Sequence, residues 1–337
     1  MDVISLFIEN ITILKYNEKH NNRSFYKEIS MSNLNIEHKK QLPSKDERHR
    51  LFGSVEPGPR TKPEKKEDMA DLQNSKQDFL FEINAVGISE VKYPVVVEST
   101  LNPTTQTTVG TFKMTSSVDQ MSKGTNMSRF LEQIEASNQA GFKVDFESLS
   151  HFTTALQKRL KYPNTSIEVE YPWFYERSGS KSGQTGLNHA IAKSEVNLVG
   201  DEIRYKAGLS ATITTLCPCS KEISEYSAHS QRGKVSISVE FNDLFDAGQV
   251  DWKKDLLDAA ESNASAMIHP VLKRVDEKHV TEMAYENPRF VEDVVRLVAA
   301  DLYELPYIEK FTVICENEES IHLHNAIAEI SFDKSSQ

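Results

Sequence analysis

The pattern of apolar and polar positions divides the chain into two unlike parts. Residues 1–68 are polar and proline-bearing: 17–23 is an unbroken polar run, Lys39-Lys40 follows, and Pro43, Pro57, Pro59 and Pro63 punctuate the rest. Such sequence buries too little apolar surface to offset chain entropy, so it predicts a poorly ordered arm. Met31 opens the run Met-Ser-Asn-Leu, and residues 1–30 are read as a start-site extension.

From residue 78 the pattern becomes regular. β-Branched residues in partial alternation predict strands at 91–97 and 107–118. Helical spacing of apolar positions follows at 127–136 and 146–160, then strands at 166–175 and 187–199. The second half repeats the order. Strands are predicted at 204–216 and 234–241, where Val235, Ile237 and Val239 share a face. Helices follow at 252–264 and at 289–302, where Phe290, Val294, Leu297 and Val298 recur at helical spacing; strands at 308–315 and 323–332 close the chain. The fold class is therefore α+β, with one strand-strand-helix-helix-strand-strand plan written twice, in modules at 78–200 and 201–333. Antiparallel four-stranded modules have open edges, which joining subunits into a barrel removes.

The composition narrows the function. With 337 residues the chain can bury a large core, and 38% hydrophobic with 26% charged residues is an ordinary globular balance. No apolar run approaches the roughly 18 residues that span a bilayer, and the first residues lack the basic start and cleavage site of a signal peptide. Three cysteines without an extracellular framework fit a reducing compartment, so the cytoplasm is expected. A formal charge of −11 with no basic, aromatic-bearing stripe argues against nucleic acid.

The densest chemistry lies in Thr214-Thr215-Leu216-Cys217-Pro218-Cys219-Ser220-Lys221-Glu222 and Ala228-His229-Ser230-Gln231-Arg232-Gly233. Thiolate and imidazole suit a zinc-class ion, and three protein ligands with an open position make a catalytic site. Cys217 ends one predicted strand and His229 precedes the next, so both stand at one end of the sheet. Two ligands are not a site, and a buried inert cysteine pair remains the alternative on spacing alone. Lys221, Arg232, Lys273 and Arg274 flank these residues and are the candidate cations for an anionic substrate. His322 and His324 alternate, which in a strand puts them on one side. Cys315 lies within an apolar strand and reads as core. The run 178–183 carries two glycines without Walker spacing and reads as a loop between strands.

The TTLCPCSKEIS and AHSQRG runs resemble the signature of the type IB GTP cyclohydrolases. Agreeing segments, in the family's order, are Phe52-Gly53-Ser54-Val55, Asp78-Phe79-Leu80-Phe81-Glu82, Lys123-Gly124-Thr125, Met127-Ser128-Arg129-Phe130, Asp276-Glu277-Lys278, Asn287-Pro288-Arg289-Phe290-Val291-Glu292-Asp293 and Glu319-Ser320-Ile321-His322. The resemblance implies the tunnelling fold, a homotetramer, GTP as substrate and one divalent metal (zinc, manganese or iron) per active site. It implies metal ligation by Cys217, His229 and Glu277, with Asp276 and Glu282 as close competitors for the last place. His322, rather than His324, completes the metal shell or serves as general acid and base. Cys219 is either a second thiol taking part in proton transfer or a small residue packed behind Cys217. Glu292 is the purine anchor, although an acid there also complements a helix dipole. The implied reaction releases formate and gives 7,8-dihydroneopterin triphosphate. Asn126 departs from the pattern, standing where many relatives carry histidine. Two rivals remain: another purine or pterin enzyme of the same architecture, such as a nitrile reductase or an aldolase, and a non-catalytic metal-binding oligomer.

Overall fold

The structure is a computed structural model that describes residues 42–56, 63–69, 71–138 and 141–336. The extension expected at 1–30, the polar run 17–23, Met31, Lys39-Lys40, Pro57 and Pro59 lie outside the described residues. Chain contacts separate Met1–Arg50 from Leu51–Gln337.

Within the stretch expected to be a poorly ordered arm, the described residues carry helix α1, Lys45–Leu51. A capping box explains it. The Glu47 N–H donates to Ser44 Oγ at 3.3 Å, and Glu47 Oε2 accepts from the Ser44 N–H at 2.9 Å. Two otherwise unpaired donors are thereby satisfied. The Ser44-Lys45-Asp46-Glu47 spacing was legible, but no residue of this helix is buried, so no apolar stripe announced it.

The second unit is built on one antiparallel sheet of eight strands in sequence order. They are β1 (Ile83–Glu98), β2 (Thr105–Val118), β3 (Asn164–Ser178), β4 (Thr185–Val199), β5 (Glu202–Leu216), β6 (Ser230–Phe241), β7 (Ile308–Asn317) and β8 (Ala326–Asp333). Helices α2 (Ser128–Asn138) and α3 (Phe146–Leu160) join β2 to β3, while α4 (Pro218–Ile223) joins β5 to β6. Between β6 and β7 come α5 (Trp252–Ser262), α6 (Arg274–Glu286) and α7 (Val291–Glu304). The α+β class and the twice-written plan are those expected. Two helices of this unit, α4 and α6, are not among the elements expected from the sequence. Strand β8 also starts later than expected, at Ala326, and leaves His322 and His324 in a loop.

Period-two burial makes the core. On β3, Ile167, Val169, Tyr171, Trp173 and Tyr175 are buried, whereas Ser166, Glu168 and Glu170 are not. The buried strand residues share one core with the apolar sides of α3, α5 and α7. Helix α3 begins where the Asp145 carboxylate accepts the Ser148 N–H at 2.7 Å and ends at Lys161 in the left-handed region. The opposite sheet face is polar, with ion pairs such as Lys193–Glu168 at 3.3 Å and Lys310–Asp333 at 2.9 Å. Half-exposed pairs of this kind contribute at most about 1 kcal/mol each. Cys315 is core, as expected, and burial pushes its thiol up to about 12. No helix among the described residues is long and apolar enough to cross a membrane.

One buried cluster ties β3 to α5. The Glu261 carboxylate accepts from the Tyr175 hydroxyl at 3.0 Å and pairs with Arg177. The Glu261 side chain is 2% exposed, and burial raises its carboxyl above the ordinary range against the opposing pull of Arg177. Removing one partner of such a pair leaves an uncompensated charge. Glu261→Ala is expected to lower stability by roughly 3–5 kcal/mol, measured by urea unfolding; a loss under 1 kcal/mol would refute the role given to the pair.

Candidate functional site

The end of the β5–β6 ladder assembles the first two candidate ligands. Leu216 pairs with Ser230, and one step further the Cys217 N–H donates to the His229 carbonyl at 3.1 Å. Ser220, on α4, reinforces this. Its hydroxyl donates to the Cys217 carbonyl at 3.0 Å and accepts from the His229 N–H at 3.2 Å. Pro218 opens α4 at a position where its missing N–H costs nothing. Cys217 and His229 are half-buried, whereas Cys219 is exposed on α4.

Other segments are stitched to the same strand end. The Arg289 N–H donates to the Leu216 carbonyl at 3.0 Å, which brings the start of α7 beside Cys217. The Leu216 N–H donates to Ser265 Oγ at 3.0 Å. The result is a cavity of about 330 Å³ whose wall includes Cys217, Gln231, Arg289, Glu292, Asn317 and Glu319. Glu292 is exposed in the first turn of α7, while Asp293 caps that helix by accepting the Phe290 N–H at 2.9 Å. Arg289 Nη1 donates to the Pro288 carbonyl at 2.9 Å, and its Nε is buried without a partner among the described residues. A larger cavity of about 670 Å³ elsewhere holds none of the expected site residues. Its wall carries five carboxylates, Glu98, Asp145, Glu147, Asp246 and Asp251, against Lys143 and Lys253, which repels a triphosphate.

The three acids at α6 are separated by what they touch. Asp276 is fully buried and accepts the N–H groups of Lys181 at 2.8 Å, Ser182 at 2.9 Å and Lys273 at 3.0 Å. The Ser182 hydroxyl, then these N–H groups, hold its carboxyl well below the usual carboxylate range. The hairpin between β3 and β4 thus grips the first turn of α6, and a Cβ at Gly179 would stand 2.8 Å from the Asp276 carboxylate, so only glycine fits. Glu277 is exposed and uncommitted by any such bond, while Glu282 pairs with Lys278 at 3.6 Å.

The remaining candidates are spread over the rim. Lys221 Nζ donates to the Tyr285 carbonyl at 2.5 Å and stands 4.5 Å from the Tyr285 ring centre, which holds α4 against the end of α6. Arg232 is exposed on β6, where alternation sets it on the sheet face opposite Gln231; Lys273 and Arg274 are exposed at the start of α6. His322 and His324 are exposed in the loop between β7 and β8, their rings stacked at 4.7 Å, so loop stacking rather than strand alternation pairs them. Asn126 accepts from the Ser128 N–H at 3.1 Å, a local bond that opens α2. Among the described residues no three His, Cys, Asp or Glu side chains are gathered as a metal cluster. The structure joins the backbones of Cys217 and His229, and among the described residues gathers neither Glu277 nor His322 with them in a cluster. Sequence reading missed Gln231, Glu319 and Arg289 as wall residues, although all three lie in quoted motif runs.

The model of the family described as type I GTP cyclohydrolase folE2 matches residues 69–328. The GTP cyclohydrolase FolE2 of Oceanobacillus iheyensis is 59% identical over 300 residues, covering 89% of this chain and 99% of that protein. The FolE2 of Bacillus subtilis is 50% identical, covering 87% and 96%. Among solved structures, the uricase of Arthrobacter globiformis aligns over 77% of this chain and 96% of its own, at 11% identity and a TM-score of 0.48.

The grip of Asp276 is open to direct measurement. Asp276→Ala is expected to speed amide hydrogen exchange at Lys181, Ser182 and Lys273 more than about tenfold, leaving the β5–β6 ladder protected, because buried hydrogen bonds govern local opening. Unchanged exchange at all three amides would refute it.

Proposed function

This chain belongs to the type I GTP cyclohydrolase FolE2 family, and from that membership we propose how its residues act on GTP. The activity is GTP cyclohydrolase I: GTP and water give 7,8-dihydroneopterin 3′-triphosphate and formate, the first step of folate biosynthesis.

One observation carries the assignment of residues: Glu292 and Cys217 line the same cavity. Guanine presents N1–H and its 2-amino group side by side, and a single carboxylate accepts both in a fork. Glu292 is that anchor, exposed in the cavity and spared from capping duty by Asp293.

Cys217, His229 and Glu277 are the proposed holders of one divalent ion, zinc, manganese or iron. The donor chemistry supports this. A cysteine and a histidine on neighbouring backbones, joined by the Cys217 N–H to His229 carbonyl bond, offer the thiolate and imidazole that suit such an ion. Asp276 is spent on three N–H groups, which leaves Glu277 as the available acid of the pair. When bound, the ion supplies Lewis acidity and lowers the pKa of water to about 7. The protein's own groups do the rest. Glu292 orients the purine so that C8 meets water; ring opening with a second hydrolysis releases formate, and the ribose then rearranges and recloses onto the freed amine with loss of one water. His322 moves protons at the ring nitrogens, with Cys219 as the second candidate, since an imidazole is suited to proton exchange near neutral pH. Lys221 and Arg274 receive the triphosphate, Lys221 keeping two N–H donors after its bond to Tyr285, whereas Arg232 lies on the sheet face away from the cavity.

A homotetramer with sites at subunit interfaces completes the proposal. Ile223 is 83% exposed, Tyr226 95% and Leu323 fully so, and these apolar side chains sit on the segments that carry Cys219 and His322. A second copy covering them would bury these side chains and enclose the rim.

Metal-stripped protein is expected to release no formate from GTP, and to recover with zinc, manganese or iron supplied singly, but not as Cys217→Ala. Failure with every metal would sink the proposed mechanism. Glu292→Gln should lower kcat/KM roughly 10–100-fold, as expected for losing about 1.5–3 kcal/mol of charge-assisted hydrogen bonding; an unchanged value would remove Glu292 as the anchor. Light scattering should give the mass of four chains, and a monomer at working concentration would refute the shared site.

A further inference from the structure

We propose that Gln231 and Glu319 are positioning residues that hold the His229 imidazole in the tautomer protonated on Nδ1, leaving Nε2 as the metal donor. The inference rests on the reading of His229 as a ligand, and it adds a second layer that fixes which ring nitrogen can serve.

The chain of constraint starts at Glu319. An ionised carboxylate only accepts hydrogen bonds, so the group facing it must donate. Gln231 Nε2 lies 3.4 Å from Glu319 Oε1, which sets the orientation of the Gln231 amide: its NH₂ faces Glu319. Its carbonyl Oε1 then faces the imidazole, 2.9 Å from His229 Nδ1. That oxygen can only accept, so Nδ1 carries the hydrogen and Nε2 keeps its lone pair. The second carboxylate oxygen of Glu319 stands 3.8 Å from the same Nδ1, adding negative charge that strengthens the imidazole as a donor.

The fold places these groups. His229, just before β6, and Gln231, on it, are two residues apart in extended chain and so share a side. Glu319 belongs to the loop after β7, and the Glu318 N–H donates to the Arg232 carbonyl at 2.9 Å, pinning that loop against β6. Gln231 is 8% exposed, and the side chains of Glu319 and His229 are 14% and 16% exposed. Burial of three polar groups is tolerated because each satisfies the next.

The test uses the full chain, free of metal and labelled with ¹⁵N-histidine, the His229 signals being those missing from His229→Ala. Two-bond ¹H–¹⁵N correlations are expected to show the Nδ1–H tautomer in the natural protein and a mixture of tautomers in Gln231→Leu. Zinc affinity, measured by competition with a chromophoric chelator, should fall roughly 10–100-fold in Gln231→Leu. It should fall less in Glu319→Gln, where an amide oxygen still accepts from Gln231. Glu319→Gln is the second variant should Gln231→Leu fail to fold, and unchanged affinity in it would then count against the relay. An Nε2–H tautomer in the natural protein, or full zinc affinity in folded Gln231→Leu, overturns the proposal. Cys217→Ala and His229→Ala separate the two levels. If they keep zinc affinity, the metal site itself is wrong; if they lose it while Gln231→Leu does not, only the relay is.

Discussion

The register of β5 on β6 is the constraint on which the site depends. The pairing runs without a break from Lys206↔Glu240 to Leu216↔Ser230, and the Cys217–His229 backbone bond extends it by one step. Val235, Ile237 and Val239 are buried on one face of β6, with Gln231 on the same alternation. A slip of one residue would turn Arg232 and Lys234 into the core and Gln231 out of the cavity. The apolar face therefore enforces, at a distance of several residues, the register that sets the Cys217 backbone beside that of His229. Core packing and site chemistry are the same constraint read at two ends of one strand pair.

What the ladder begins, long-range backbone bonds complete. Arg289 and Ser265 both bond to the backbone of Leu216, so the start of α7 and the end of α5 close on the residue before Cys217. From the first half of the chain, the hairpin after β3 reaches Asp276 and sets the first turn of α6. Lys221 fixes the other end of α6 through Tyr285. Glu277 is thus carried on a helix tied at both ends, one tie from each half of the sheet.

Where residues were buried on alternate positions, the sequence was readable. Helix α3 falls on the expected residues 146–160 because seven of its fifteen residues are buried and give it an apolar stripe. Helix α6 was illegible for the opposite reason: only Asp276 and Ala284 are buried, and Val275 is 57% exposed. Helix α4 has six residues, too few for a period. His322 and His324 misled because spacing of two suits a strand, whereas here a loop stacks the rings. At the site, the ligand candidates stood out because two of only three cysteines lie two residues apart with a histidine close behind. Gln231 and Glu319 did not, because positioning a neighbour leaves no spacing signature; only coordinates show which amide faces which carboxylate.

Asp276 and Glu277 show how one helix turn can separate holding from acting. Successive helical residues point about 100° apart, so one carboxylate can turn into the fold while the next stays out. The inward one is fully buried, and burial of a charge is tolerable only with its hydrogen bonds made, as the three N–H groups make them. Once so bound it cannot also serve a ligand without releasing the hairpin. The outward one carries no such duty and is free to meet an ion or a substrate. The same sorting recurs at α7, where Asp293 caps the helix and Glu292 faces the cavity. In both places one acid fixes the backbone while its exposed neighbour makes no such bond, so a substitution at Asp276 or Asp293 should act through the position of the helix.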